Sequence, residues 1–550
     1  MVTHLTRRFW NSLSGIGLLL GALLFAASLT PSLIPRGFEL QGLLGGVAFA
    51  TGYGLGVAVN ALWDYLELPK LRGSVHRIAL WLAIGLSSAI VLTFLARTAG
   101  WQNDIRERMG MELVSGAHPV TIGLIAAVVA LVLLLLARLI GSLVRIGASG
   151  LGRMMPRRYI RALGGVLAGL LILAFADGVI LREAIRAADA SFGALDALFA
   201  PDAPQPTDPM QTGSDASLIP WQDLGRRGRG FVAEVTPVER IAAEAGGEVM
   251  APIRVFAGLT SAETPEARAE LALQELIRVG GFERSVLVVA TPTGTGWMDP
   301  AAMVPLEILH RGDVATVAVQ YSYLSSWISL LLEPGYGVAG ARATFDAVYG
   351  YWRTLPRETR PRLYLYGLSL GADSSDQSFN LLDVVSDPFD GALWVGPPYS
   401  TPMWRQVTAT RNPGSPEIAP VIGDSSVVRF ATQDISPTLP DAEWDAMRIV
   451  YLQYASDPIV RFEMDSWRWP PDWMGEPRAR DVSPEMRWYP LITFFQLIFD
   501  NMIALSVPMG YGHLYAPEHH VEAWAEVTEP PGWSDAELQA LKARLAVRAD

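Results

Sequence analysis

The chain has 550 residues, 50% of them hydrophobic and only 18% charged, with a formal net charge of −12 and no cysteine. A charged fraction below the roughly 25% of soluble domains argues against a wholly soluble enzyme, and this hydrophobicity argues against disorder. The missing cysteines exclude disulfides, Cys-ligated zinc, iron–sulfur clusters and a Cys nucleophile, and seven His leave little for a His-rich metal site.

The charge is unevenly placed. Residues 1–181 carry 15 Lys+Arg against 7 Asp+Glu, whereas the remainder carries 28 against 48. A basic apolar part joined to an acidic polar part predicts a helical transmembrane domain followed by a soluble domain. The acidic part also speaks against nucleic acid, which is held by clustered Lys and Arg.

Residues 9–35, 40–63, 78–96 and 119–137 are nearly or wholly uncharged and long enough to span a bilayer, for which about 20 apolar residues are needed. Residues 162–176 reach that length only if the helix runs past Asp177 to Leu181. About five spans are therefore expected. Gly15, Gly17 and Gly21, and later Gly42, Gly45, Gly46, Gly52, Gly54 and Gly56, place small residues where helices in lipid could approach closely. Alternate loops hold 11 Lys or Arg on one side (Arg7, Arg8, Lys70 and Arg153 among them) against 4 on the other. By the positive-inside rule the N-terminus faces the cytoplasm, and everything after Leu181 lies outside it, at a cell inner membrane. The first span is too long for a signal-peptide core and is expected to be retained. Residues 182–217 form a helical, then Pro-rich linker through Pro201, Pro204, Pro206 and Pro209.

From residue 218 to 550 strands and helices alternate, which predicts a mostly parallel sheet with helices on both faces. Short apolar runs at 285–290, 314–320, 363–366, 392–395 and 449–454 read as strands, and 338–355 has helical spacing. Gly367-Leu368-Ser369-Leu370-Gly371 follows one of these strands and opens a helical stretch. In that context G-x-S-x-G is a nucleophile elbow, which makes Ser369 the candidate nucleophile. Its hydroxyl needs a base, and the base an orienting acid. Asp457 stands just after the 449–454 strand in Ala455-Ser456-Asp457-Pro458. Asp424 and Asp434 lack such a strand, and Asp465 is the fallback.

Four His occur in this part. His310 closes a helix before Arg311-Gly312, and His519 and His520 sit at a helix start. His513 lies in the Gly-rich 509–515 loop, whose small residues let an imidazole reach across a sheet edge. His513 is the expected base. The oxyanion of acyl attack needs two backbone donors. Leu370 supplies one, and the 291–297 loop (Thr-Pro-Thr-Gly-Thr-Gly-Trp) the other, at Thr295 or its neighbours Gly294 and Gly296. No metal or other cofactor is required.

Several stretches together resemble the bacterial membrane-anchored α/β-hydrolase family, which has an N-terminal multi-span domain and a C-terminal hydrolase domain. They are 224–229 (Leu-Gly-Arg-Arg-Gly-Arg), 290–297, 320–324, the elbow, 451–460 and Gly512-His513. The resemblance implies a serine hydrolase. The family's elbow looks like Gly-Glu-Ser-Leu-Gly, and Leu368 replaces the Glu here.

The expected activity is cleavage of an ester or thioester, of a lipid or acylated envelope component, with the bilayer as a partner. Two alternatives stand beside it: an acyltransferase using the same triad with an alcohol acceptor, and an inactive envelope sensor or assembly protein. The transmembrane domain could also hold a homo-oligomer. The Trp-rich 467–499 stretch reads as core, with a lid or a bilayer contact as the competing readings.

Overall fold

A computed structural model describes residues 13–116, 118–149, 204–323, 334–439, 441–475 and 477–547. The chain divides into two compact units. The expected fifth span, its Asp177, the Arg7–Arg8 pair and residues 182–203 of the linker lie outside the described residues.

The first unit contains helices α1 (Gly15–Ser28), α2 (Phe38–Tyr65), α3 (Gly73–Arg108) and α4 (Pro119–Ser149). Three of them, α2, α3 and Pro119–Ser142 within α4, are long and apolar enough to cross a membrane. Their outer faces carry exposed apolar residues such as Leu82, Leu92, Val120 and Leu124, the surface that lipid, not water, would cover. The first expected span is shorter than its uncharged run. α1 has 14 residues and is capped by Ser14, whose hydroxyl accepts from Gly17 N–H, so it is about 21 Å long against a hydrocarbon core of about 30 Å. The last residues of that run, 29–35, are buried non-helical chain, and residues 9–12 lie outside the described residues.

The glycines of α2 let it meet two partners closely. A Cβ on Gly52 or Gly56 would lie 2.4 Å from the α1 backbone at Leu20 and Gly17, and one on Gly42 or Gly46 would lie 2.5–2.7 Å from Ile125 and Val129 of α4. Backbone contact at a small-xxx-small repeat replaces the hydrophobic drive that lipid removes.

The same unit includes Met464–Met474 and Arg480–Ile503. Both segments come from the part of the sequence after residue 218. The helix Ile492–Met502 explains why they join this unit. Its Asp500 accepts from Ser32 Oγ and Leu33 N–H, both at 3.0 Å, and pairs with Arg36 at 3.4 Å with both side chains fully buried. Gln496 Nε2 donates to Thr30 O at 3.0 Å. The buried 29–36 turn thus finds its polar partners more than 460 residues away. The Trp-rich stretch divides: Trp473 is buried, while Trp467 and Trp469 are exposed.

The second unit is built on a seven-stranded sheet of order β1-β3-β2-β4-β5-β7-β6. The strands are β1 (Ile253–Ala257), β2 (Val286–Thr291), β3 (Val314–Val319), β4 (Arg362–Leu368), β5 (Gly391–Val395), β6 (Val428–Ala431) and β7 (Arg448–Leu452). Every pairing is parallel. Parallel strands need covered faces. Helices α5 (Pro265–Arg278) and α6 (Pro300–Leu309) fall in separate layers: α5 packs with α7 (Pro334–Trp352), and α6 with α9 (Pro517–Thr528). The strands are accordingly apolar on both sides, with β2 and β3 buried throughout. Helix α8 (Leu370–Asp376) follows β4 directly. The register pairs Thr291 with Gly367, and Leu368 with Val395 and through it Leu452. The loops leaving β2, β4, β5 and β7 therefore emerge along one carboxyl edge, where open α/β sheets hold ligands.

Candidate active site

Ser369 sits between β4 and α8 with φ +58° and ψ −126°. This left-handed backbone is strained for a residue with a Cβ and persists only when its surroundings hold it. Two glycines make room for the turn. A Cβ on Gly367 would lie 2.3 Å from Gly371 O, and one on Gly371 would lie 2.2 Å from Thr291 O. The second contact seats the elbow against the start of the 291–297 loop. Ser369 N–H donates to Val395 O at 2.9 Å, fixing the elbow to the end of β5.

Asp457 follows β7 by five residues and is fully buried. It caps the short helix Pro458–Arg461, its Oδ1 accepting from Ile459 N–H at 2.9 Å. Its Oδ2 accepts from His513 Nδ1 at 2.7 Å and from Tyr515 O–H at 2.6 Å. A buried carboxylate is tolerable only with partners of this kind. The bond to Nδ1 orients the imidazole and leaves Nε2 as the reactive nitrogen.

The imidazole lies over the end of β5. A Cβ on Gly396 would meet His513 Cε1 at 2.9 Å and Tyr515 Cε2 at 2.8 Å, so Gly396 is small because these rings occupy its side-chain space. Ser369 is bonded to the preceding residue, Val395, which brings Ser369 and His513 to the same strand end. Nε2 of His513 is buried and has no hydrogen-bond partner among the described residues. The Ser369–His513 bond is therefore open in this state, as it often is before substrate binds.

The other histidines are engaged elsewhere. His310 Nε2 is 2.8 Å from Thr528 Oγ1, His519 Nδ1 is 2.5 Å from Tyr454 O–H, and His520 Nδ1 is 3.0 Å from Ala516 O. Burial pushes His310 and His520 down to about 3, where a ring is too weak a base for this task. Asp465 is exposed and pairs with Arg468 at 3.1 Å. Asp424 caps its own turn through Ser426 N–H.

The 291–297 loop is a tight turn. Gly296 N–H donates to Thr293 O at 2.8 Å and Thr293 N–H to Trp297 O at 3.1 Å, with Gly296 at φ +82°. That removes Gly296 from the donor candidates and leaves Gly294 and Thr295 N–H without an acceptor among the described residues. Leu370 N–H, first in α8, is equally free of an intrahelical partner. Gln320, just beyond β3, holds the loop: its Nε2 donates to Thr295 O at 3.3 Å and to Ser322 O at 3.1 Å.

Sequence reasoning singled out Ser369, Leu370, Gly294, Thr295, Asp457 and His513, and all lie along this edge. It missed Tyr515, Gln320 and Asp299. Tyr515 stands two residues beyond His513, and that spacing was its only signal. Asp299 caps α6 through Ala301 N–H at 2.9 Å, and burial raises its carboxyl to about 7 despite the field of His513. Among the described residues no cluster of His, Cys, Asp and Glu could hold a metal.

The comparisons with known proteins agree with this architecture. Residues 253–541 match the alpha/beta-hydrolase family, and residues 29–235 match the alpha/beta-hydrolase family N-terminus. No curated protein and no solved structure gives a significant match. With more than half of the chain covered by the first pattern, and the elbow at the carboxyl edge of a parallel sheet, the chain belongs to the α/β-hydrolase family.

Proposed function

We propose that this chain is a membrane-tethered serine hydrolase that cleaves an ester or thioester through an acyl-enzyme on Ser369. The observation that carries the reading is the 2.7 Å bond from His513 Nδ1 to a fully buried Asp457, with Nε2 left unpartnered beside the strained elbow. In the first step Ser369 Oγ bonds to the substrate carbonyl carbon while its proton passes to His513 Nε2. The oxyanion is held by Leu370 N–H and by Thr295 or Gly294 N–H. Collapse breaks the bond to the leaving oxygen or sulfur, which takes the proton from Nε2. Water then repeats the sequence and releases the acid. Asp457 keeps its charge throughout and stabilises the imidazolium.

The substrate class follows from the attached helices. Three helices able to span a bilayer exceed what a tether needs, and a lipid or acylated envelope substrate would arrive already concentrated in two dimensions. The Lys/Arg asymmetry of the loops supports a cytoplasmic N-terminus and a hydrolase unit outside the inner membrane. A reporter that fluoresces only in the cytoplasm should stay dark when fused after residue 550.

Turnover of a p-nitrophenyl ester by the full-length protein tests the chemistry. Ser369→Ala and His513→Ala should each lower it by several orders of magnitude, and the double variant should be little worse, because the members act as a unit. Near-normal activity in either single variant would remove the assignment.

A further inference from the structure

The membrane-helix unit carries a half-open cavity of about 410 Å³, remote in sequence from the hydrolase residues. Its walls come from the start of α2, the last turns of α3 and the residues leading into α4, with Arg36, Gln102, Arg106 and Glu39 among them.

Gln102 is 3% exposed. Its side-chain oxygen accepts from Arg36 N–H at 2.7 Å. A backbone N–H can only donate, so this bond settles which end of the amide is oxygen. The other end, Nε2, is buried with no hydrogen-bond partner among the described residues. Unsatisfied buried donors are costly and ask for a reason. Arg106 adds a second: its Nε is also buried and unpartnered, while Nη1 reaches only Glu112 O at 3.3 Å.

The backbone contributes in the same sense. α2 is 28 residues long and its N-cap is Gly37, with no side chain to accept from the first turn. The free N–H groups and positive end of that helix meet the cavity at Gly37, Phe38 and Glu39. Arg36 offers the cavity neither free donors nor an uncompensated charge, because Asp500, Gln41 and the Ser28 and Thr30 carbonyls engage its guanidinium. The one acid in the lining, Glu39, is exposed.

An unsatisfied amide donor, the unsatisfied guanidinium of Arg106 and an uncapped helix start together suit a compact oxyanion. We propose that this cavity binds a phosphate group, carried by the headgroup of an anionic phospholipid. The lipid source is favoured because the walls come from the ends of the three described helices long and apolar enough to span a bilayer and from the segments joining them, and because the rim residue Leu113 is an exposed apolar side chain. The inference is independent of the hydrolase reading.

The test uses full-length protein in a neutral detergent, with binding read by thermal shift. The probes are dihexanoyl phosphatidylglycerol, inorganic phosphate and phosphate-free dihexanoyl glycerol. The phosphatidylglycerol should bind at least tenfold more tightly than the dihexanoyl glycerol. Gln102→Glu keeps the acceptor for Arg36 N–H but replaces the free donor with an anion, and should weaken phosphatidylglycerol at least tenfold. Arg106→Gln, at a half-buried position, should weaken it in the same direction and keeps the test valid if Gln102→Glu does not fold. Weaker, competitive binding of inorganic phosphate supports the lipid source. Inorganic phosphate binding as tightly as phosphatidylglycerol would overturn that source in favour of a free anion. Equal affinity for the phosphate-bearing and phosphate-free glycerides, or indifference to the substitutions, would overturn the site.

Discussion

Gly371→Ala is the most demanding test of how the elbow is built. The new Cβ would stand 2.2 Å from Thr291 O and 2.9 Å from Pro292 O, where ordinary contact begins near 3.4 Å. Both obstacles are backbone. Thr291 ends β2 and is registered against Gly367, so it cannot swing aside as a side chain would. Relief requires the elbow and the 291–297 loop to separate by about 1 Å. Overpacking of this kind costs about 1–3 kcal/mol, and here the upper part of that range applies because rigid chain must move. For a unit of roughly 330 residues that corresponds to a loss of about 3–4 °C in melting temperature. The separation also moves Thr295 and Gly294 away from Leu370, and a misplacement of about 1 Å can cost on the order of 100-fold in turnover. Ester hydrolysis and melting temperature should be measured together, with Gly350→Ala as control, since nothing lies within 4 Å of a Cβ there. Wild-type turnover and stability in Gly371→Ala would refute the claim that the elbow leans on the oxyanion loop.

Tyr515→Phe removes one of the three donors to Asp457. It should lower kcat by roughly tenfold, the worth of one hydrogen bond to a charged group, with a displaced pH–rate profile marking Tyr515 as a positioning residue. Arg36→Met leaves Asp500 buried without its cation and should destabilise the detergent-solubilised protein by about 3–5 kcal/mol, whereas adding Asp500→Leu should recover most of the loss. His310 and His520 have ring pKa values lowered from 6.5 to about 3, so between those values the unfolded chain binds more protons. Their contribution is fully present above about 6.5 and is lost as pH falls toward about 3; His520→Gln should flatten the acid limb of a stability–pH curve.

The hydrolase unit was legible because its signals are local. The strands at 286–291, 314–319, 362–368, 391–395 and 448–452 announce themselves as short β-branched or aromatic runs, and the elbow needs only its own five residues and the strand before it. β1 and β6 escaped notice: β6 has four residues and an arginine in it, and Arg254 interrupts the apolar run of β1. The first unit was harder. Lack of charge marks apolar chain but not helix, and residues 29–35 are uncharged because they are buried, not because they span. Asp500 likewise looked like the end of an apolar run. Its partners Ser32, Leu33 and Arg36 lie more than 460 residues away, and no periodicity encodes such a contact. The contacts of Tyr515 and Gln320 were hidden for a related reason, since each is a hydrogen bond to a residue on another loop.

The proposed chemistry requires Ser369 to be an activated nucleophile. Full-length protein should be treated with a fluorophosphonate, digested, and the modified peptide mapped by mass spectrometry. An activated Ser369 predicts a single phosphonyl adduct on that residue, no adduct in Ser369→Ala, and labelling slowed by orders of magnitude in His513→Ala. An unlabelled wild type, or an adduct on another serine that survives Ser369→Ala, would contradict it.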